Sequence, residues 1–195
     1  MNSFPELGQT VLNFIDGKWQ PPQSGKWTDR YDPADQTVLA AKAPDSGRED
    51  ASAAIEASAK AAEGWASWPA PKRGRLLFEW VRWIDAHREE IAYLLTREEG
   101  KILAESKGEL SRAIDILEFT AGMGRRLDGT VYPAEEEGTF CYSTRGPLGV
   151  VGLISPWNFP VAIPVWKLAP ALVSGNTAVL KPSPLTPLTA TAIVR

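Results

Sequence analysis

All 24 acidic residues of this 195-residue chain lie within residues 1–145, and that asymmetry constrains the fold more than any other feature. From Gly146 onward the only charged side chains are Lys167, Lys181 and Arg195, and the run 146–166 has none. Twenty-one uncharged residues suit withdrawal from water, into a membrane or into a protein core. Pro147, Pro156, Pro160 and Pro164 interrupt the run, and Ser155 and Asn158 would sit in lipid. A continuous spanning helix is therefore the weaker reading. A short buried strand, a tight turn and a buried helix, as in the core of an α/β domain, account for the same residues.

The remaining composition narrows the class. A net charge of −3, with 21 Lys+Arg against 24 Asp+Glu, argues against a general nucleic-acid binder, which needs clustered cations. One cysteine, Cys141, excludes an intramolecular disulfide and a cysteine-based metal cluster. One histidine, His87, excludes a multi-histidine metal site. The N-terminus, Met-Asn-Ser-Phe-Pro-Glu-Leu, has neither a basic nor an apolar leader region, so a cytoplasmic, metal-independent protein is expected.

Along the chain, residues 11–31 read as short strands and turns around Asp16-Gly17 and Ser24-Gly25. Ser46-Gly47-Arg48-Glu49 has capping-box spacing, and Ala51, Ile55, Ala59 and Ala62 follow as one helical face. A second helix starts near Pro71, with Leu77, Trp80 and Ile84 as its stripe. A third carries Ile91, Leu94 and Leu95 and stops at Gly100. A fourth covers 102–121, with Leu103, Leu110, Ile114 and Leu117 inward. After Gly129 the period changes. Thr130–Pro133 and Thr139–Thr144 read as strands joined by the acidic Glu135–Gly138. Then come strand Val150–Ile154, turn Ser155–Asn158, a helix over 160–173 stopped by Gly175-Asn176, and strand Thr177–Leu180. Thr186 before Pro187 is an N-cap with proline at the first helical position, and this helix runs on to Arg195.

Few residues make a nucleophile constellation. Cys141 has no histidine nearby and reads as a small buried or interface residue; His87 reads as a solvated helix end. There is no Walker A loop, and Gly146, Gly149 and Gly152 have the wrong spacing for a dinucleotide fingerprint. The turn Ser155-Pro156-Trp157-Asn158-Phe159-Pro160 differs, because it leaves an apolar strand and opens a helix, where α/β sheets place ligands. Its two prolines pre-set the backbone around Asn158, and a held neutral amide suits an oxyanion developing on a carbonyl oxygen. On spacing alone, Asn158 serves equally as a helix cap. Lys181-Pro182-Ser183 ends the next strand, and an ammonium and a hydroxyl there can hold ribose or phosphate oxygens, or face water.

Read whole, Gly149-Val-Val-Gly-Leu-Ile-Ser-Pro-Trp-Asn-Phe-Pro-Val-Ala-Ile-Pro-Val-Trp-Lys, then Gly175-Asn-Thr-Ala-Val-Leu-Lys-Pro-Ser, closely resembles the NAD(P)-dependent aldehyde dehydrogenase superfamily. Phe14-Ile-Asp-Gly-Lys-Trp, Glu98-Glu-Gly-Lys101 and Tyr142-Ser-Thr-Arg-Gly-Pro-Leu-Gly-Val extend the resemblance over nearly the whole chain. It implies an α/β fold: an N-terminal helical layer, a β-hairpin and the start of a Rossmann-like parallel sheet. Residues 1–128 would be the N-terminal part of the cofactor domain, 129–147 an oligomerisation hairpin, and 148–195 the first βαβ unit. It implies that Asn158 stabilises the oxyanion and that Ile154, Ser155, Pro156 and Trp157 lie along the cofactor. Lys181 would bind the adenosine ribose, with Ser183 and Pro184 beside it. Phe159 and Trp166 would line the substrate tunnel.

The family's nucleophilic cysteine, general-base glutamate and glycine-rich loop match nothing here, so the resemblance implies an N-terminal fragment, inactive by itself. The complete enzyme would oxidise an aldehyde to its acid with NADP or NAD, as a homo-oligomer without nucleic-acid or membrane partners. Trp166 stands where the succinate-semialdehyde branch is expected to carry arginine, and Pro-Val-Trp-Lys points to members acting on α-ketoglutarate semialdehyde. NAD-preferring members commonly carry glutamate three residues after the ribose-binding lysine; Pro184 stands there, so NADP is expected to be accepted. The rival is a non-catalytic chain that binds nucleotide or caps a partner's oligomer.

Overall fold

A computed structural model describes residues 4–194. Met1–Ser3, part of the stretch read as lacking a leader, and Arg195, the expected end of the last helix, lie outside the described residues. The elements are β1 (Gln9–Thr10), β2 (Asn13–Ile15), β3 (Lys18–Gln20), β4 (Trp27–Asp32) and β5 (Asp35–Pro44). They continue with α1 (Arg48–Ala66), α2 (Ala70–Ala86), α3 (Arg88–Glu99), α4 (Leu103–Met123), β6 (Val131–Tyr132) and β7 (Cys141–Tyr142). The last are β8 (Val150–Ile154), α5 (Ala162–Val173), β9 (Thr177–Lys181) and α6 (Pro187–Ile193).

The N-terminal strands are built by turn chemistry and small side chains. Asp16 and Gly17 both adopt positive φ, at 52° and 71°, which joins β2 to β3 in a two-residue hairpin. β5 pairs parallel with β1 and antiparallel with β4. The sequence reading has no strand over 35–44, since its alanines show no alternation of size; Ala40, Ala41 and Ala43 are nevertheless buried, and β5 packs on α3 and α6.

The four helices of the layer form where the periodicity places them, with four corrections. α1 begins one residue later than the Ser46 capping box implies: Gly47 is the N-cap, and the Asp50 carboxylate, not Glu49, accepts its N–H at 3.0 Å. The face marked by Ala51, Ile55 and Ala59 turns outward, leaving Ile55 52% exposed. Hydrogen bonds orient the helix instead. Thr177 Oγ1 donates to the Ser58 carbonyl (2.9 Å), Ser58 Oγ to the Ala178 carbonyl (3.3 Å) and Trp65 Nε1 to the Leu172 carbonyl (3.0 Å). Leu103, on the first turn of α4, is likewise exposed. His87 is not a solvated end: it is half-buried, stacks on Trp83 and Phe4, and holds its Nδ1 2.8 Å from the Trp83 carbonyl.

Leu77, Ile84, Ile91, Leu95, Leu110 and Leu117 form the core with Val161, Val165, Leu188 and Ile193. Each such side chain, fully buried, contributes about 1.5–3 kcal/mol. The helical layer therefore stands on α5 and α6, and the uncharged C-terminal segment is the other half of one core. No described helix is long and apolar enough to cross a membrane.

The hairpin pairs Val131 with Tyr142 and Tyr132 with Cys141. Gly129 is needed where it starts: a Cβ there would lie 1.8 Å from the Ser143 carbonyl oxygen. Its strands are shorter than Thr130–Pro133 and Thr139–Thr144, and all of 128–148 is exposed, so little packing holds them. Cys141 is exposed too, which leaves only the interface half of its reading.

β8 and β9 pair in parallel, Val150 with Thr177 through Ile154 with Lys181, and α5 connects them. Asn176 does more than end α5: its buried Oδ1 accepts the N–H groups of Leu148 (2.6 Å) and Gly149 (3.0 Å), fixing where β8 begins. Thr186 is the N-cap of α6 by position only, since its buried hydroxyl has no partner among the described residues. Glu98 of α3 does the capping, accepting the N–H groups of Leu188 (2.6 Å) and Thr189 (2.7 Å).

Burial pushes the Glu98 carboxyl up to about 7, against the pull of those N–H groups, from an ordinary 4.5. The folded chain thus holds this proton more tightly than the unfolded one. Its contribution is complete below the ordinary value and is lost as pH rises through about 7. The melting temperature should fall between about pH 5 and about pH 8, and fall less in Glu98→Gln. Equal slopes in the two proteins would contradict this.

Candidate functional site

The parallel register makes the carboxyl ends of two strands flush. Ile154 faces Lys181, and the Ser155 N–H extends the ladder to the Lys181 carbonyl at 3.2 Å. From this edge the turn Ser155–Pro160 leads into α5. Ile154 (67%), Trp157 (50%), Phe159 and Trp166 leave large apolar surfaces in solvent around it. Lys181 is exposed, and among the described residues its ammonium meets only the neighbouring Pro182 carbonyl, at 3.1 Å, with no carboxylate against it. The Ser155 hydroxyl is buried and has no hydrogen-bond partner among the described residues. Ser183 is buried, its Oγ accepting the Leu185 N–H at 3.1 Å, and Pro184 is exposed beside it. Lys167, on α5, donates to the Ile154 carbonyl.

Asn158 does not cap α5. The N-cap is Val161, and the Asn158 side chain is exposed and makes no hydrogen bond among the described residues. The orphan N–H groups of Val161 and Ala162 go instead to Glu109 Oε1 on α4, at 2.8 and 3.0 Å. Glu109 Oε2 accepts from Lys101 Nζ at 2.7 Å, and the same ammonium donates to the Asn158 main-chain carbonyl at 2.9 Å. It also lies 4.4 Å from the centre of the Phe159 ring. Glu99 closes the cluster: burial raises its carboxyl above the ordinary range, and the nearby Lys101 charge opposes that.

Sequence reasoning missed Lys101 and Glu109 as site residues. A signal existed for Glu109: it shares the buried phase of α4 with Ser106, Leu110 and Ala113, where a carboxylate needs a partner. Lys101 sits in the Glu98-Glu-Gly-Lys run, but nothing local indicates that it reaches residue 158.

An apolar strand edge, an exposed ammonium and, on the turn that follows, an exposed amide lie at the carboxyl end of a parallel pair. They define an α/β protein with a Rossmann-like βαβ unit whose ligand edge is open. The chain belongs to the aldehyde dehydrogenase family, whose model matches residues 19–195. It is 45% identical over 185 residues to the α-ketoglutaric semialdehyde dehydrogenase of Bacillus subtilis (strain 168), covering 95% of this chain and 38% of that protein. It is 42% identical to malonate-semialdehyde dehydrogenase 2 of Geobacillus thermodenitrificans (strain NG80-2), covering 93% of this chain and 38% of the relative. The solved aldehyde dehydrogenase from Brucella melitensis biovar abortus 2308 superposes with a TM-score of 0.92 at 36% identity, over 100% of this chain and 40% of that one. The chain thus spans less than half the length of these relatives.

Removing the Glu109 carboxylate strands two helix N–H groups and an ammonium together. Glu109→Ala should lower the unfolding free energy by about 3 kcal/mol, and Glu109→Gln, which keeps an acceptor, by less than half of that. Urea denaturation measures both; equal losses would contradict the capping role.

Proposed function

We propose that this chain is the cofactor-side part of an enzyme that oxidises a semialdehyde to its acid with NAD(P), its thiolate and general base coming from residues outside this chain. The observation that carries the reading is the exposed Asn158 amide, its backbone held by Lys101, on the turn that leaves the same carboxyl edge at which Lys181 ends β9.

The residues present suit a dinucleotide. The exposed Ile154 and Trp157 offer it apolar contact, and Pro156 fixes the path between them. Lys181 supplies a cation for ribose or phosphate oxygens, with the Ser155 and Ser183 hydroxyls at the same edge. A dinucleotide held by these residues would supply an acceptor for the hydride that the aldehyde carbon loses. Asn158 Nδ2 donates to the carbonyl oxygen as negative charge gathers on it, and because the donor is already placed, little reorganisation accompanies the step. Phe159 and Trp166 shed water from the substrate's approach. Cys141, exposed on the hairpin, is not the nucleophile in this reading.

The resemblance of the Pro164-Val-Trp-Lys167 run to enzymes of α-ketoglutarate semialdehyde, with Trp166 in place of arginine, supports that aldehyde as the substrate. The name of the Bacillus relative supports it further. The exposed 129–147 hairpin serves as the contact between copies in a homo-oligomer. A reaction that draws on the cell's dinucleotide pool carries a cytoplasmic location with it.

In the full-length protein, Asn158→Ala should lower kcat with α-ketoglutarate semialdehyde about 10²- to 10³-fold, with the cofactor KM within about threefold. An unchanged kcat would remove Asn158 from the mechanism. A second outcome concerns cofactor choice. Pro184, three residues after Lys181, neither accepts from a ribose nor repels a 2′-phosphate, and within this chain the nearest acidic residue before it is Glu137. NADP should be used at least as well as NAD, and Pro184→Glu should cut kcat/KM for NADP by about tenfold or more. Strong rejection of NADP by the native protein would show that other contacts decide the matter.

A further inference from the structure

The Asn158 amide is held from a distance, by two residues of the helical layer. Lys101 lies just before α4 and Glu109 two turns into it, and together they grip the Ser155–Pro160 turn and the start of α5. The Glu109 side chain is wholly buried and that of Lys101 only 10% exposed, at an Nζ–Oε2 separation of 2.7 Å. Beyond the turn, Glu109 Oε1 fixes the Val161 and Ala162 N–H groups. Within it, Lys101 fixes the Asn158 carbonyl and covers the Phe159 ring. Pro160 restricts φ between the two anchors.

Capping alone does not explain this arrangement. Glu109 satisfies the α5 N-terminus with one oxygen, whereas the Lys101 contacts to Asn158 and Phe159 serve no helix end. A buried ion pair seldom adds stability over an apolar replacement, so a gain in placement is the better account of it. We infer that Lys101 and Glu109 are positioning residues: their ion pair sets the backbone of 158–162, and that backbone sets where Asn158 Nδ2 stands. The inference rests on the oxyanion role assigned to Asn158 above. The required precision is high, since a misplacement of about 1 Å can cost about 10²-fold in rate.

A double-mutant cycle in the full-length protein separates positioning from general support. Lys101→Met should lower kcat about 10- to 100-fold and leave the cofactor KM within about threefold. In an Asn158→Ala background the same substitution should cost less than about threefold, because the amide it positions is gone. If Lys101→Met alone does not fold, Lys101→Met/Glu109→Gln removes both charges and keeps an acceptor for the helix, and the same non-additivity is expected of it. Equal fold-losses in the two backgrounds, or full kcat in the Lys101 variant, would overturn the inference and leave the role of Asn158 standing. An unchanged kcat in Asn158→Ala by itself would overturn both.

Discussion

Two buried carboxylates from one layer complete two helices of the other, and the arrangement of this chain depends on them. Glu98 of α3 receives the first N–H groups of α6, and Glu109 of α4 receives those of α5. A helix N-terminus presents unpaired N–H groups and a partial positive charge, which a carboxylate satisfies together. The C-terminal segment has no acidic residue of its own with which to do so. The charge asymmetry of the chain is therefore a division of labour: the layer that carries the acids supplies the caps, and the layer without them supplies the apolar face.

The same device aims the site. Because α5 is capped from outside, the residues before it need not serve as caps, and the Asn158 side chain makes no hydrogen bond among the described residues. Its backbone is not free, being held at the carbonyl by Lys101. A buried arginine secures the far end of α5 in a complementary way. Arg73 Nε donates to the Val173 carbonyl at 3.0 Å and its Nη1 to the carbonyls of Ala66 and Trp68. A cation thus donates to the last carbonyl of α5, that of Val173, and ties it to the end of α1, while an anion receives the N–H groups at the start of α5.

Local rules made much of the fold legible, and their failures share a cause. The stripes of α2 and α3, the stop at Gly100 and the strand–turn–helix–strand order after Gly149 follow from spacings within a few residues. The outward turn of Ile55 does not, because hydrogen bonds between α1 and β9, more than a hundred residues apart, outweigh its aliphatic stripe. β5 escaped notice because alanines give no alternation of size. At the site, the turn and Lys181 were legible from motif and position. The clamp was not, since 52 residues separate Glu109 from Val161 and 57 separate Lys101 from Asn158. The orphaned Ser155 hydroxyl became visible only once the strand end was built.

The central claim is that the carboxyl edge of β8 and β9, with the turn after β8, is where the dinucleotide is held. Hydrogen–deuterium exchange of the full-length protein with and without NADP tests it most directly. The account predicts slower exchange over 154–159 and 181–185 when the cofactor is present, with the 131–142 hairpin unchanged. Cofactor binding that leaves both edge segments at their free rates would contradict it.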